Sequence, residues 1–449
     1  MCKARLTVRW AAALIAIGVF GCGVGSNPEP TPIGRAFSFL QREQVAETSH
    51  EEGEVDYAGD WPQYFVLDGA PSFRVRDVSP FIVSFIHHAL TRVNGDQAEA
   101  LGLDPEQVDS ARGMRQQAIA FLRQFEAVPG DPARGTFGFW PYHSPTPPSA
   151  QLGQLMLLAL AKGPLLNGTR TPINLDIYPE AMAIPTDADV TATTFAALLD
   201  DELLDGGSGV DSAPEKFFSD WRDTGDVPLR FTPPWLPSAS GAFLTWLNYG
   251  SPLTPNDVDL VVNANVLFAL ARYGRLETPG VDEAIALIRR ATEQGLYRTH
   301  PEEISLYYPD NYSFQYAVAR AYHEGPVPAL RPAVEILADD LEQSALEGAD
   351  GAAHWDKGAP VLNTAFAVLT LLNAGRSTEL IARGVRYLEA RQDALTGDWP
   401  EGVFFIARTD RGIQFGWVSH SFTTAMALEA LCRFALLHNP DQSAPAAGS

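Results

Sequence analysis

Two kinds of helix alternate along this chain, and the second kind limits what it can fold into. The first is charged and amphipathic, as in "AFSFLQREQVAE", "PEQVDSARGMRQQAIAFLRQF", "VDEAIALIRRATEQ", "LRPAVEILADDLEQSAL" and "TELIARGVRYLEARQ", with apolar residues at three- and four-residue spacing. The second is apolar nearly all round: "SPFIVSFIHHAL", "DVTATTFAALL", "VDLVVNANVLFALARYG", "YSFQYAVARAYHEG", "LNTAFAVLTLLNAG" and "SFTTAMALEALCRFALL". A helix without a polar face must be buried on every side. Six or so such helices, each paired with a charged one, most simply form an inner ring inside an outer ring. The pairing recurs at about sixty residues, longer than an open solenoid repeat usually is. The expectation is therefore all-α: a closed (α/α)6 toroid of about six helical hairpins. Strand signals are few, and the loops "GTFGFWPYHSPTPPSA" and "RFTPPWLPSASG" suit a rim over a cavity.

Residues 1–21 read as a secretory leader, in which Lys3, Arg5 and Arg9 precede an apolar run starting at Trp10 and broken by Gly18 and Gly21. The run is short of the ~20 residues that a membrane-spanning helix needs. Gly21 followed by Cys22 resembles a bacterial lipobox, which makes Cys22 the lipidated residue. Residues 22–33 then form a tether, residues 34–438 the toroid and residues 439–449 a flexible tail. Gly23 is not the acid that commonly retains lipoproteins at an inner membrane. The expectation is a lipid-anchored protein of the cell envelope, at the bacterial outer membrane, with that membrane as its partner. Once Cys2 is removed and Cys22 acylated, Cys432 alone remains, so the chain has neither an internal disulfide nor a cysteine cluster for zinc. A formal net charge of -23 speaks against nucleic acid, whose phosphates are bound through Lys and Arg.

The best-defined local pattern is "RGVRYLEARQDALTGDWP": Arg383-Gly384, Tyr387-Leu388, Gln392, then Gly397 and Trp399. A second copy runs Arg35-Ala36, Phe39-Leu40, Gln44 and Gly59-Asp60-Trp61. The order and spacing resemble the repeat of squalene and other triterpene cyclases, which share an α/α toroid with protein prenyltransferases. The resemblance implies that the Gln bonds the N-terminus of the next inner helix and that the Trp packs between hairpins. The zinc site of the prenyltransferases takes Asp, Cys and His. Cys432 lies in the apolar run "ALCRFALL" and reads instead as a small core residue, so neither metal nor other cofactor is expected.

The stretch "PTDADVTATTFAALLDD" has two readings. Class II terpene cyclases carry Asp-x-Asp-Asp at the start of an inner helix, and the middle Asp protonates an alkene or epoxide. The resemblance puts Asp189 at the donor position and Asp187 at the flanking acid, with Val190 in place of the third acid. Alternatively, Thr186-Asp187-Ala188-Asp189 is a helix cap, favoured by the helix dipole. "TPNDVDLVVNAN" repeats the device with Thr254, Pro255, Asp257 and Asp259. A feature present twice favours capping, so catalysis stays unproven.

Polar or aromatic residues in or near inner helices are cavity candidates: Asp257, Asp259, Asn263, His87, Tyr312, Trp355 and His420. His87 and His88 are adjacent and point about 100° apart on a helix, so they do not readily share a metal. Asn265 and Gln315 are further polar groups in inner helices and need partners there. Acids near tryptophans (Asp60, Asp310, Asp356, Asp398 and Glu401) would suit a glycan. Three functions follow, in order: a lipid-anchored toroid holding a hydrophobic or extended ligand, a class II terpene-type cyclase using Asp189, and a glycan-active enzyme. Replacing Cys22 by Ser should release the protein from membranes into the soluble fraction. A variant that fractionates with membranes as fully as the parent would refute the anchor.

Overall fold

The computed structural model describes residues 30–51, 54–67, 70–127, 135–139, 186–205, 215–229, 231–247, 256–308, 310–358, 360–376, 378–408 and 414–437. The leader, Cys22, Thr254, Pro255 and the tail lie outside the described residues. From the N-terminus the long helices are α1 (Pro32–Glu43), α2 (Pro80–Leu90), α3 (Pro105–Leu122) and α4 (Ala188–Asp205). They continue as α5 (Leu260–Arg272), α6 (Val281–Glu293), α7 (Asn311–His323) and α8 (Arg331–Ser344). The last three are α9 (Pro360–Asn373), α10 (Thr378–Arg391) and α11 (His420–Leu437).

The apolar helices form the inner ring. In the order α2, α4, α5, α7, α9, α11 each packs on the next, and α11 packs back on α2, so the ring is closed. All of α2 is buried, as is α5 from Leu260 to Ala271. The charged helices lie outside and fill the grooves between inner neighbours: α3 against α2 and α4, α8 against α7 and α9, α10 against α9 and α11. Between α4 and α5, among the described residues, a six-residue helix (Glu215–Asp220) and irregular backbone stand where a long outer helix would be. Outer helices carry the chain back at the other turns. The inner helices run the same way, with their C-terminal ends joined at one rim and their N-termini at the other.

That rim carries strands that the sequence did not signal. β1 (Gln63–Leu67), β2 (Ala70–Asp77), β3 (Val403–Arg408) and β4 (Gln414–Val418) form an antiparallel sheet in the order β2-β1-β4-β3. Phe65 pairs with Trp417 on one side and Val75 on the other. β3 shows no alternation because both its faces are covered: Phe404 meets Phe81 and Phe422, while Phe405 meets Tyr307 and Phe139.

The tryptophans work as one repeated device. The buried indole of Trp399 donates to the Leu388 carbonyl at 2.7 Å, Trp61 to Leu40 at 2.8 Å and Trp355 to Leu341 at 2.9 Å. Each carbonyl belongs to an outer helix, so Trp355 is a third copy of this fastening and not a cavity residue. The Gln has a different partner from the one expected. Gln392 donates to the carbonyls of Gly397 and of Pro32, both at 2.9 Å, and accepts from Arg35. It ties α10 to the outer helix α1, closing the last repeat on the first. Gly397 is required there: its φ is +85°, and a Cβ would lie 2.4 Å from the Arg35 carbonyl oxygen.

The opposite rim is fastened by charge. His88 on α2 bonds Asp200 of α4 at 3.2 Å and Glu324, just after α7, at 3.0 Å. Arg272 of α5 pairs with Asp200. Arg433 of α11 reaches Glu324 at 2.8 Å and Asn373 of α9 at 2.7 Å. Every inner helix contributes at or next to its C-terminal half, and the cations Arg272 and Arg433 complement the negative dipole ends gathered there. Burial works against ionisation of Glu324, but Arg92, Arg433 and His88 outweigh it and hold that carboxyl well below its usual range. Deleting the Trp399 ring should cost about 3–5 kcal/mol, as for other buried large aromatics. Chemical denaturation of Trp399→Ala checks this, and an unchanged midpoint would show that the ring is not a fastening.

Candidate active site

The two aspartates at the start of α4 have different jobs. Asp187 is the cap: its Oδ1 accepts from the Val190 amide at 2.7 Å. Thr186 does not cap, because its hydroxyl instead accepts from Thr136 at 2.7 Å. Residue 187 forms a single antiparallel bridge with Trp246, which fixes the backbone as the helix begins. Asp189 lies inside the first turn and its carboxyl reaches to the neighbouring inner helix α5 and to the loop before α7. Oδ1 accepts from the Asn265 amide at 2.6 Å, and Oδ2 accepts from the Tyr308 hydroxyl. Behind Asn265, its Oδ1 accepts from Arg320 at 2.7 Å. The Arg320 guanidinium is buried between Phe85 and Phe268, 4.5 and 4.4 Å from their ring centres, and among the described residues it forms no ion pair.

This geometry corrects the capping reading of Asp189. The two Asp-x-Asp stretches look alike but are out of register. α5 is capped by Asp259, which accepts from Val261 and Val262 at 2.8 and 3.1 Å. Asp259 therefore corresponds to Asp187, and the position matching Asp189 is Val261. Asp310 caps α7 in the same way. Asp189 has no counterpart in either helix.

Burial raises both acids. For Asp189 the desolvation is opposed by Tyr308, Asn265 and Arg320, and its pKa still stands above the ordinary carboxylate value. Asp187 is raised further, by burial opposed by backbone amides and then by the neighbouring Asp189. Both side chains wall a narrow cavity of about 20 Å³ whose other faces include Phe81, Phe139, Trp246, Tyr307 and Phe405. A second one, of about 10 Å³, also touches Phe81 and is lined by Phe85, Tyr316, Phe366, Phe404 and Phe422.

Asp257 and Asp259 act one step back. Tyr307 donates to Asp257 at 2.6 Å, while Asp259 accepts from Ser305 at 2.8 Å and from the Leu306 amide at 2.7 Å. Together they hold the loop that delivers Tyr307 and Tyr308 to the cavity. Burial, partly offset by these bonds, lifts Asp259 to about 7.

The remaining sequence candidates lie elsewhere. Asn263 bonds the backbone N–H and carbonyl of Phe243, both at 3.0 Å, and so pins a loop. His87 is buried without a hydrogen-bond partner, and burial pushes it down to about 3. Tyr312 is half-buried beside the Asp310 cap. His420 sits at the rim, 44% exposed, 2.7 Å from Asp398. The acids considered for a glycan are engaged by other side chains: Asp60 pairs with Arg76 at 2.7 Å, Asp356 with Asn363 at 2.7 Å and Glu401 with Arg74 at 3.0 Å. Neither cavity is walled by them. The only described group with metal-ligand spacing is His88, Glu324 and Glu429, within 4.8 Å of one another. Arg92 and Arg433 already supply the positive charge there, so these residues do not fit a cation.

No protein-family model matches the chain, and no curated protein does. Among solved structures, a variant of the type II terpene cyclase MstE from Scytonema, bound to geranylgeranyl dihydroxybenzoate, is similar with a TM-score of 0.53 at 14% identity, over 90% of this chain and 96% of that one. MstE without ligand gives 0.52 at 15%, over 90% and 97%. A protein from Actinoplanes gives 0.51 at 16%, over 90% and 98%. The fold is thus a terpene cyclase-like α/α toroid.

Removing the Asp187 cap as Asp187→Ala should lower stability by about 0.5–2 kcal/mol. Urea unfolding measures the loss, and a midpoint equal to that of the parent would contradict the cap.

Proposed function

We propose that this protein is a class II, protonation-initiated cyclase of polyprenyl chains, with Asp189 as the acid. The observation that carries the reading is the Asp189 carboxyl, buried in an aromatic cavity and held by Asn265 and Tyr308. Protonating a carbon–carbon double bond needs an acid that keeps its proton at rest yet leaves a stabilised anion. Burial supplies the first property. The Asn265 amide and the Tyr308 hydroxyl, with Arg320 behind, supply the second. A preorganised set of donors of this kind acts where charge develops.

Val190 occupies the place where the resembling cyclases have a third acid, and Asn265 and Tyr308 take up the donor's oxygens in its stead. The faces of Phe81, Trp246, Tyr307 and Phe405 suit the cation that follows protonation. Their apolar wall keeps water from trapping it early. The terpene cyclase-like fold supports the same reading and favours it over a glycan-active enzyme. Export and lipidation at Cys22 belong to the proposal as well, since an anchor would hold the toroid at a membrane in which polyprenyl substrates dissolve.

Incubation of the purified protein with farnesyl, geranylgeranyl and squalene chains, each as the alkene and as its terminal oxirane, should yield cyclic isomers by gas chromatography and mass spectrometry. Asp189→Asn should lower that turnover by about 10²–10⁴-fold, the usual contribution of a general acid. A wild-type protein that binds such chains and returns them unchanged would be a carrier, and the cyclase proposal would fall.

A further inference from the structure

Two buried polar atoms in the wall of the acid cavity have no partner among the described residues. Asp187 commits Oδ1 to the helix start, while its Oδ2 meets no hydrogen-bonding group among the described residues. Thr245 lines the same cavity, is 3% exposed, and its hydroxyl is likewise unpartnered. Neither residue is free to turn away. The Thr245 amide donates to the Asp257 carbonyl at 3.0 Å, and the Thr245 carbonyl accepts from Ala188 at 2.7 Å. The bridge between Asp187 and Trp246 locks the neighbouring strand to the same backbone. A buried hydroxyl or carboxyl oxygen left unsatisfied costs about 1–3 kcal/mol. Around a purely hydrocarbon ligand end, both would stay unsatisfied.

We infer that Asp187 and Thr245 form an oxygen-binding subsite, so that the reacting end of the ligand is an oxirane and not a bare alkene. The inference rests on the cyclase reading and specifies its substrate. Both groups are donors toward such an oxygen: Asp187, kept neutral by burial, through Oδ2–H, and Thr245 through its hydroxyl. With the oxirane seated there, the proton passes from Asp189 to the oxirane oxygen. The C–O bond to the more substituted carbon breaks and its electron pair goes to oxygen, while the π pair of the next double bond forms the new C–C bond. The last cation loses a proton to water, and water returns one to the Asp189 carboxylate. The product keeps the oxygen as a hydroxyl in the same subsite, and the net change is an isomerisation.

The test uses geranylgeraniol and its terminal oxirane as probes. Isothermal titration on Asp189→Asn protein, in which neither probe turns over, should show the oxirane binding about tenfold more tightly, one buried hydrogen bond's worth. Adding Thr245→Val should lower the difference, and Thr245→Ser should keep it. Equal affinities overturn the subsite, since a resident water would then be satisfying these atoms. So does a preference left whole by Thr245→Val. Turnover by the wild type separates the two claims. Cyclisation of the alkene with indifference to the oxirane keeps the cyclase and rejects the subsite. An oxirane held through Thr245 but never cyclised keeps the subsite and rejects the cyclase.

Discussion

An apolar helix in water has no face to show to solvent, and the described residues of this chain contain six of them. Each needs neighbours on both flanks, and a row of six has two bare ends unless it closes. Closure therefore comes from burial itself, before any specific contact is considered. Once closed, the ring encloses space along its axis that side chains of this size fill only in part. The aromatics at the N-terminal rim and the charged residues at the C-terminal rim close off the two ends. The cavity is what such packing leaves, and its chemistry is set by the few polar side chains that the inner helices turn inward.

Those few are arranged economically. The start of one helix, α4, uses one carboxyl to satisfy its own backbone and a second, two residues on, to bond the next inner helix. The cap fixes the helix, and the fixed helix aims the acid. Asn265 on α5 and Arg320 on α7 complete a line of polar groups through three successive inner helices. A buried guanidinium without a carboxylate partner is costly. Here its charge acts through Asn265 on the Asp189 carboxyl.

The ring was legible in the sequence because apolar all-round helices leave little choice, and the Gln-to-Trp repeats mark where hairpins meet. The site was legible only in outline. Two Asp-x-Asp stretches invited a common explanation, but the helices start at Ala188 and Leu260, which puts Asp187 and Asp259, and not the letter-for-letter partners, in register. Helix starts are read from sequence to within a residue or two, and here two residues separate a cap from an acid. Asn265 was visible as a polar residue in an apolar run, yet Asn263 stood two places away with equal claim. Tyr308 gave no signal, since it arrives on a loop whose position depends on Asp259. The sheet went unread because β3, covered on both faces, has none of the alternation that marks a half-buried strand.

The fastening between Gln392 and Pro32 joins residues 360 positions apart. The first helix of the toroid is thus completed by nearly the last, and α1 rests on α11. On a ribosome, or emerging from any pore that delivers the N-terminus first, helices α2 to α9 exist for some time as an arc with an unmet apolar edge. Contacts of such long sequence separation form slowly, and incomplete arcs are prone to stick to one another. The toroid behaves as a clasp bracelet: its links can be laid out in order, but it holds nothing until the final one is made.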